Sequence, residues 1–400
     1  MLNLFSFNAN GLNNRLKRQT VLTWLETNHK GILFIQESHS TSDMEPLWKK
    51  EAPNYDIYFS HGTSNSKGVC TMFPKYLNIE VYETISDIYG RFLLIHLNIS
   101  DVEFVLVNIY APTKNNPNDQ ITFLKFIQEK LVRFMGKTII MSGDFNTYIN
   151  PMLDKKGGSD EPQTQYSEQL GNLLDELDLY DSYRAEHPNT KCFTWRNRGR
   201  AGLVQSRLDM FFVSLHLQFN NVKSYIYPGI RSDHSLIRIC LQLNENWKRG
   251  RGFYKFNLLL LQDPDYVNKI NNTLDELSHS TLDISNKAMR WDYIKCKIRG
   301  ISISHSSYRA KQNREQELSL LDKLKEVENI ISETPTPEYL DQYSNLKNSL
   351  NVLYSKKAQG SMIRSKDKFI EENEKKLKVF SKFRKEKLQY KMHQMFECKW

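Results

Sequence analysis

The spacing of apolar residues divides the chain into two parts with different periodicities. In residues 1–244, short apolar runs alternate with amphipathic segments, a pattern typical of strands separated by helices. Because strands outnumber helices, we predict two β-sheets packed face to face and covered by helices, an α/β four-layered sandwich. Strands are predicted at 2–7, 31–35, 57–60, 68–73, 79–82, 91–99, 103–110, 138–141, 191–196, 206–213 and 238–243, and helices at 16–27, 119–135 and 167–177.

After Leu243 the pattern becomes that of long, charged helices. A second, all-α part is therefore predicted, with an antiparallel helix hairpin or coiled coil where leucine, valine and isoleucine recur at helical spacing between 318 and 331. We divide the chain into a first domain at 1–243, a basic glycine-containing linker at 244–252 and a helical extension at 253–400. Helices are predicted at 263–278, 286–300, 307–332, 337–360 and from 362 onward.

The net charge of +9 changes this picture, because it is confined to the second part. Residues 245–400 hold 30 of the 55 Lys and Arg residues but 21 of the 46 Asp and Glu residues, so the first part is neutral overall. A basic extension permits binding to nucleic acid, although solvated helix faces explain the same excess. The oligomeric state stays open.

Cysteine usage and hydropathy narrow the class of protein. The five cysteines are far apart and form no Cys-x-x-Cys pair, so neither a disulfide framework nor a zinc module is expected. The N-terminus lacks the basic flank and apolar core of a signal peptide, and no apolar run is long enough to cross a bilayer. We expect an intracellular protein, nuclear or cytoplasmic, without membrane contact.

Candidate chemistry starts at Ser142-Gly143-Asp144-Phe145-Asn146, which directly follows the apolar run 138–141. Gly143 would permit a sharp exit from the strand. If the backbone stays extended, Asp144 and Asn146 project from the same side past the strand end. Taken alone, these residues are explained better by a strand followed by an Asx turn.

Polar residues also end or flank other predicted strands. Each has an ordinary structural explanation, such as a solvated strand end or a buried tyrosine with a bonded hydroxyl. Several such strand ends in one chain are harder to explain in this way, and they point to phosphate chemistry. The residues are Asn8, Glu37, Tyr110, Asp209, and Asp233 and His234 in the segment Ser232-Asp233-His234-Ser235.

In this order, the segments resemble the endonuclease/exonuclease/phosphatase superfamily, whose members include exonuclease III, the apurinic/apyrimidinic endonucleases and DNase I. Within it, they look most like the endonuclease domain that opens the second open reading frame protein of LINE (non-LTR) retrotransposons. The resemblance implies a DNase I-like fold and nicking of duplex DNA. It rests on Phe-Asn-Ala-Asn-Gly-Leu, Ile-Gln-Glu-Ser-His, Asn-Ile-Tyr-Ala-Pro-Thr, Ser-Gly-Asp-Phe-Asn, Ser-Arg-Leu-Asp and Ser-Asp-His-Ser, between residues 3 and 235.

The resemblance implies a cation and a base for the hydrolysis of a phosphodiester. Glu37 would bind Mg²⁺, or Mn²⁺ in its place, and Asn8 would hold that carboxylate or a metal-bound water. Asp144 would orient and deprotonate the attacking water. Asn146 would fix Asp144 or a phosphate oxygen.

The resemblance also implies the groups that bind the phosphate. His234 stabilises a charged transition state best when it is protonated, and Asp209 would be the carboxylate partner that raises its pKa. Tyr110 would donate to the phosphate. Asp233 would serve the leaving-group side or a second metal position.

A basic segment between two predicted strands suggests a DNA-binding loop. The segment Trp195-Arg196-Asn197-Arg198-Gly199-Arg200-Ala201-Gly202 has an arginine at every second position: Arg196, Arg198 and Arg200. A flexible hairpin with these side chains suits the minor groove, where arginine reads width and deformability, whereas a solvated hairpin is the simpler alternative. Ser232 completes the predicted DNA contacts.

Three positions depart from the repair-enzyme pattern. Asn10 stands where apurinic endonucleases usually have Asp, and Ser206 stands where they have the Trp that walls the abasic-sugar pocket. LINE endonucleases resemble this sequence at both positions, so we expect nicking of intact duplex with weak preference for abasic sites. Thr113 replaces a common Asn, and Asn115 or Asn116 would substitute for it.

Weaker resemblance continues into the extension. Gly252 to Asn257, Trp291 to Ile303, Arg364 to Lys366 and Glu371 to Lys375 look like the connector between endonuclease and reverse transcriptase in LINE proteins. No polymerase motif follows, so we expect a truncated or partial product that nicks DNA without copying RNA. Duplex DNA is the expected partner of the chain, and RNA is a further candidate partner for the basic extension.

Three other functions stay open. Two share the fold: a repair-type apurinic/apyrimidinic or exonuclease III-like enzyme, and a phosphatase acting on inositol phosphates or lipids. The third is an inactive nucleic-acid-binding fragment in which only the helices act.

Overall fold

The computed structural model describes residues 1–158, 165–199, 202–220, 222–242, 256, 258–280 and 287–364. Fifteen strands lie in these ranges. They are β1 Leu2–Asn8, β2 Ile32–Gln36, β3 Tyr55–Ser60, β4 Val69–Pro74, β5 Ile79–Ser86, β6 Phe92–Ile99, β7 Val102–Tyr110, β8 Thr138–Asp144, β9 Lys155–Lys156, β10 Leu179–Asp181, β11 Trp195–Gly199, β12 Gly202–Ser206, β13 Asp209–Ser214, β14 Lys223–Tyr227 and β15 Leu236–Leu241.

Nine α-helices lie in the same ranges, with short 3₁₀ turns at Ser42–Met44, Val132–Phe134, Leu215–Asn220 and Leu258–Gln262. The helices are α1 Arg15–Asn28, α2 Glu45–Glu51, α3 Pro117–Leu131, α4 Pro151–Asp154, α5 Gln165–Glu176, α6 Ser182–Glu186, α7 Pro264–Ser280, α8 Lys287–Glu333 and α9 Pro337–Arg364. No helix in the described part of the chain combines the length and apolar character needed to cross a membrane.

Two six-stranded sheets form the centre of the fold. The first has the order β14-β15-β1-β2-β4-β3 and the second has the order β10-β13-β8-β7-β6-β5. Each sheet contains one parallel pair, β1 with β2 and β7 with β8, among antiparallel neighbours. A third, three-stranded sheet joins β11, β12 and β9.

The apolar runs are continuous because both faces of the central strands are buried. On β7, Phe104 and Leu106 pack between the two sheets together with Leu4 and Phe211. The alternate residue Val107 points to the opposite face, which packs against α3 and α5. The other sheet is covered on its outer face by α1 and α2, where Trp24 contacts Phe7 and Trp48 contacts Phe59. The predicted four-layered sandwich is thus confirmed.

The described chain divides into two compact units. The first comprises Met1–Lys248 and Leu321–Tyr354. This unit therefore contains both six-stranded sheets together with the end of α8 and most of α9. Among the described residues, the second comprises 256, 258–280, 287–320 and 355–364. Within the second unit, the Tyr266 hydroxyl lies 2.7 Å from the Ser302 hydroxyl, and Asp263 pairs with His305 at 2.9 Å.

Several predicted elements differ from those observed. The two helices predicted at 286–300 and 307–332 are one helix, α8, because Gly300 is tolerated within it. β8 does not end at Met141 but continues to Asp144, and the strand predicted at 206–213 is divided between β12 and β13. Short or half-buried elements were not predicted: α2, α4, α6, β9, β10 and β14. The predicted linker at 244–252 lies outside the described residues, and so does the part of the extension at 365–400.

Candidate active site

The site forms where strands of both sheets end at one edge. Asn8 is the last residue of β1, and Glu37 directly follows the parallel neighbour β2. In the other sheet, Tyr110 at the end of β7 pairs in register with Asp144 at the end of β8. Asp144 in turn pairs with Asp209, the first residue of antiparallel β13. Residues far apart in sequence therefore meet because parallel strands direct their carboxyl ends to the same side.

Gly143 sets the position of Asp144, though not by the predicted sharp exit. It lies within β8 between Ile109 and Met210, with a φ of +148°. A Cβ atom here would lie 1.8 Å from the Ile109 carbonyl oxygen. Only glycine allows the two strands this approach, which brings Asp144 to the edge.

The Asn8 carboxamide bridges two carboxylates. Its Nδ2 donates to Glu37 Oε1 and to Asp144 Oδ2, each at 2.9 Å. Its Oδ1 accepts the backbone N–H of Asn10 at 2.9 Å. Asn8 is fully buried and its polar atoms are all occupied, so these contacts suit a residue that holds the carboxylates in place.

Asp144 is buried, with 1% of its surface exposed. Burial raises the pKa of Asp144 to about 7. The charge of His234 and the hydrogen bonds from Asn146 and Asn8 lower this pKa, whereas the charge of Asp209 raises it. Such a carboxyl can accept a proton near neutral pH.

Asn146 holds Asp144 through its backbone and not through its side chain. The Asn146 N–H donates to Asp144 Oδ1 at 2.9 Å, and its Nδ2 donates to the Ala111 carbonyl at 2.8 Å. Its φ of +50° shows that the backbone turns after Asp144, so the two side chains do not project in parallel from an extended strand.

His234 lies between two carboxylates. Its Nδ1 is 2.8 Å from Asp209 Oδ2, and its Nε2 is 3.9 Å from Asp144 Oδ2. Burial alone lowers the pKa of His234, but the charge and hydrogen bond of Asp209 and the charge of Asp144 outweigh it and raise the pKa to about 10. The imidazolium therefore presents an N–H donor next to the carboxyl of Asp144.

Glu37 is the most accessible carboxylate of the group, with 20% of its side chain exposed. Burial raises its pKa, but hydrogen bonds with His39, Asn8 and Tyr110 outweigh this effect and lower it. Burial and the charges of Glu37 and Asp144 raise the pKa of Tyr110, so its phenol stays protonated and can donate. The Arg91 guanidinium lies 5.2 Å above the Tyr110 ring.

Asp233 and Ser232 lie beside the buried group. Asp233 accepts hydrogen bonds from Asn10 Nδ2 at 2.9 Å and from Trp195 Nε1 at 2.8 Å. Ser232 donates its hydroxyl to the Asn8 carbonyl at 2.7 Å and accepts the His234 N–H at 3.1 Å. Ser232 thus fixes the turn that carries His234.

The predicted DNA-binding loop is the β11–β12 hairpin, and two of its arginines are described. Arg196 Nη1 lies 3.2 Å from Glu328 Oε1, with only 10% of its side chain exposed. Arg198 is half exposed and lies 3.4 Å from Asp341. Arg200 lies outside the described residues. Both carboxylates belong to the α8–α9 segment of the same compact unit.

Several participants were missed from the sequence. Trp195 holds Asp233, and the Thr194 hydroxyl accepts the backbone N–H groups of Leu208 and Asp209 at 3.0 Å. Lys17 on α1 donates to the Asn10 carbonyl and lies near the charges of Asp233 and Glu37. A tryptophan or lysine in an amphipathic element gives no sequence signal for such a role.

The site contains two groups of side chains whose atoms could bind a metal ion. Ligand atoms of Asp144, Asp209 and His234 lie within 4.8 Å of one another. A protonated His234 pairs with both carboxylates, and this explains the cluster without an ion. An ionised, accessible Glu37 beside the Asn8 carboxamide offers the oxygen donors that a hard divalent cation prefers.

Comparisons with known proteins identify the family and the fold. A model of the Endonuclease/Exonuclease/phosphatase family matches residues 2–234. A 149 kDa protein of transposon TX1 from Xenopus laevis is 25% identical over 373 residues, 91% of this chain but 27% of that relative. The chain thus spans about a quarter of that protein's length. An exodeoxyribonuclease of Bacillus subtilis is 23% identical over 264 residues, which are 60% of this chain and 100% of that protein.

Solved structures of other proteins share the fold, among them one from Leishmania major and one from Xenopus laevis. The AP endonuclease LMAP of Leishmania major superposes with a TM-score of 0.53 and 18% identity, covering 60% of this chain and 88% of that one. The catalytic domain of Xenopus laevis APE2 superposes with a TM-score of 0.50 and 23% identity, covering 60% of this chain and 91% of that one.

Proposed function

The chain belongs to the endonuclease/exonuclease/phosphatase family, and from this membership we propose that it is a metal-dependent DNA endonuclease of the LINE type that nicks duplex DNA. The observation that carries the proposal is the pairing of Asp144 with His234. A carboxyl with a pKa of about 7 lies 3.9 Å from an imidazolium N–H, at the edge where Glu37 is accessible. Such a pair can deprotonate water and bind a phosphate oxygen at the same place.

We assign the roles as follows. Asp144 accepts the proton of the attacking water, while Asn8 and the Asn146 N–H hold its two oxygens. His234 donates to a non-bridging phosphate oxygen, and Asp209 keeps it charged. The Tyr110 phenol donates from the side of Glu37.

Glu37 would hold Mg²⁺, with Mn²⁺ as a substitute, and Asn8 would keep the Glu37 carboxylate in place. Bound there, the cation would supply positive charge to the phosphate and to the leaving oxygen. Asp233 would serve the leaving-group side, although in the structure both of its oxygens are engaged by Asn10 and Trp195.

The relationship to the transposon TX1 protein, which extends over 91% of the chain, supports the LINE type. So does Ser206. It is 6% exposed and pairs with Trp195 across the hairpin, where a repair enzyme would have the tryptophan of its abasic-sugar pocket.

Nicking of supercoiled plasmid tests the proposal. The full chain with Mg²⁺ should convert supercoiled DNA to open circles, and EDTA should stop the reaction. Asp144→Asn should slow nicking at least about 100-fold while the melting temperature is kept, because it removes the base. The control is Asp56→Asn, a carboxylate 63% exposed and away from the edge. Equal nicking by Asp144→Asn would refute the assignment.

A second candidate function is exonuclease or abasic-site cleavage, favoured by the full-length match to the Bacillus subtilis exodeoxyribonuclease. End-labelled duplexes with and without one abasic site separate the two. We expect internal nicks in both duplexes. Shortening only from the 3′ end, or cleavage only at the abasic site, would favour the second candidate.

A further inference from the structure

A helical hairpin from the C-terminal part of the chain packs against the nuclease fold. This docked hairpin, residues Leu321–Tyr354, belongs to the same compact unit as the two sheets. Its apolar residues Leu324, Ile331 and Leu350 are at most 1% exposed. It is therefore part of the folded body and not a solvated helical arm.

Polar contacts fix the docked hairpin in register. The Lys156 ammonium donates to the carbonyls of Ser332 and Glu333, the last residues of α8, which stabilises the helix C-terminus. At the other end of the hairpin, the Arg231 N–H donates to Asn351 Oδ1 at 3.1 Å. Arg231 lies three residues before His234, so α9 reaches the turn that carries the catalytic histidine.

A cavity of about 370 Å³ lies between α9 and this turn. Tyr343, Lys347 and Asn351 recur every four residues along α9 and so share one helix face, which forms one wall. The lining residues on the opposite side are Asn10, Arg196, Arg231, Ser232 and Asp233. The cavity therefore adjoins the proposed catalytic group.

The charge of the lining favours an anion. Three cations, Arg196, Arg231 and Lys347, face one carboxylate, Asp233, whose two oxygens already accept hydrogen bonds. Arg196 pairs with Glu328. Among the described residues, neither Arg231 nor Lys347 forms an ion pair with a carboxylate.

The Lys347 side chain is held over an aromatic ring at the cavity. Its Nζ lies 5.5 Å from the centre of the Tyr343 ring and 3.4 Å from the Tyr343 hydroxyl. A lysine and a tyrosine side by side can bind a phosphate and pack against a sugar or base.

We propose that this cavity binds a nucleotide of the DNA strand next to the scissile phosphate, with Lys347 and Arg231 on its phosphate. α9 would then supply part of the substrate-binding surface, from a segment beyond the family match at 2–234. Lys347 is a binding and positioning residue in this arrangement. The inference rests on the proposed nuclease function.

The test compares the full chain with Lys347→Gln, Lys347→Arg and, as a matched control, Lys325→Gln. Lys325 is an exposed lysine of the same docked hairpin that does not line the cavity. Duplex affinity is measured from 50 to 200 mM salt, and nicking is measured as a function of DNA concentration. Melting temperatures confirm that each variant is folded.

Loss of one phosphate contact gives a defined result. Lys347→Gln should weaken duplex binding about five- to tenfold at low salt and reduce the slope of log affinity against log salt by about 1. The nicking rate at saturating DNA should change much less. Lys347→Arg should restore both quantities, and Lys325→Gln should match the original chain.

A single uncharged methylphosphonate linkage locates the contact. The linkage is placed in turn at each position around the mapped nick. At one of these positions, Lys347→Gln should no longer weaken duplex binding, because the linkage and the substitution remove the same interaction. Additive losses at every position would overturn the inference.

The outcomes separate the two proposals. If the chain nicks DNA and Lys347→Gln equals Lys325→Gln at every salt concentration, the cavity proposal is wrong and the nuclease proposal stands. If Lys347→Gln weakens binding but neither the original chain nor any variant nicks DNA, the nuclease proposal fails and so does the position next to a scissile phosphate, and only a DNA contact of Lys347 is left. A chain that neither binds nor nicks DNA refutes both.

Discussion

Asn8 shows how one neutral side chain can hold a charged site together. Two carboxylates, Glu37 and Asp144, each accept an N–H from its carboxamide. Without these donors the partly exposed Glu37 carboxylate and the buried Asp144 carboxylate would face each other, and like charges repel. The neutral amide is thus as important for the geometry as the acidic residues it separates.

Asn8→Asp therefore tests this role at the scale of one residue. It exchanges two donors for a third carboxylate, and we expect nicking to slow at least about 100-fold and the free energy of unfolding to fall by about 2 to 4 kcal/mol. Plasmid nicking and urea unfolding measure the two effects. Asn65→Asp, at an exposed loop position, should change neither. Nicking within about threefold of the original would contradict the bridging role.

At the scale of single residues, the sequence indicated side chains that the structure brings together, but not how they touch. Polar residues after apolar runs marked Asn8, Glu37, Tyr110 and Asp144, because strand ends are local features. The contact of Asn146 through its backbone depends on a positive φ, which asparagine adopts in some turns only. The pairing of Arg196 with Glu328 joins residues far apart in sequence, so no local pattern could reveal it.

At the scale of elements, the contact between β7 and β8 depends on one glycine. A methyl group on Gly143 would meet the Ile109 backbone at 1.8 Å, and a backbone in a paired strand cannot yield as a flexible side chain can. The strands would have to separate just where Tyr110 and Asp144 are in register.

Gly143→Ala should accordingly lower the free energy of unfolding by at least about 3 kcal/mol. The matched control is Gly171→Ala in α5, where a Cβ meets nothing within 4 Å and alanine should stabilise the helix by about 0.5 to 1 kcal/mol. Urea unfolding measures both variants. Equal midpoints for Gly143→Ala and the original chain would show that the strands can adjust.

Elements with two buried faces were predicted well, because their apolar runs are long. Short elements were missed, since two or three residues of β9 or β10 carry no period. Gly300 suggested a helix end, yet α8 continues through it, because one glycine costs only about 1 kcal/mol in a long helix.

At the scale of the whole molecule, a histidine couples stability to pH. His29 follows α1 and lies among the rings of Trp24 at 4.8 Å, Phe5 at 5.3 Å and Tyr227 at 5.6 Å. Burial, together with the charge of Arg238, lowers its pKa from 6.5 to about 3. The folded state thus keeps His29 neutral at pH values where the unfolded chain binds a proton.

The sign of the effect follows from this difference. The stability contribution of neutral His29 is complete above pH 6.5 and is lost as the pH falls toward 3, by up to about 1.4 kcal/mol per pH unit. In His29→Gln this part of the acid dependence should disappear. Unfolding midpoints between pH 7.5 and 4 measure it, and the control His187→Gln, at a side chain that is 37% exposed, should retain the original dependence. An unchanged slope in His29→Gln would show that the histidine charges freely in the folded state.

The pairing of β15 with β1 also has a consequence for synthesis on the ribosome. β1 lies between β2 and β15, and its register runs from Leu2 opposite Leu241 to Ser6 opposite Ile237. At about 5 to 20 residues per second, translation needs about 10 to 50 s to produce the second partner. During that interval the nascent chain presents an open, apolar strand edge that chaperones can bind. His234 lies two residues before β15, so its pairing with Asp209 and Asp144 also waits for the end of that interval.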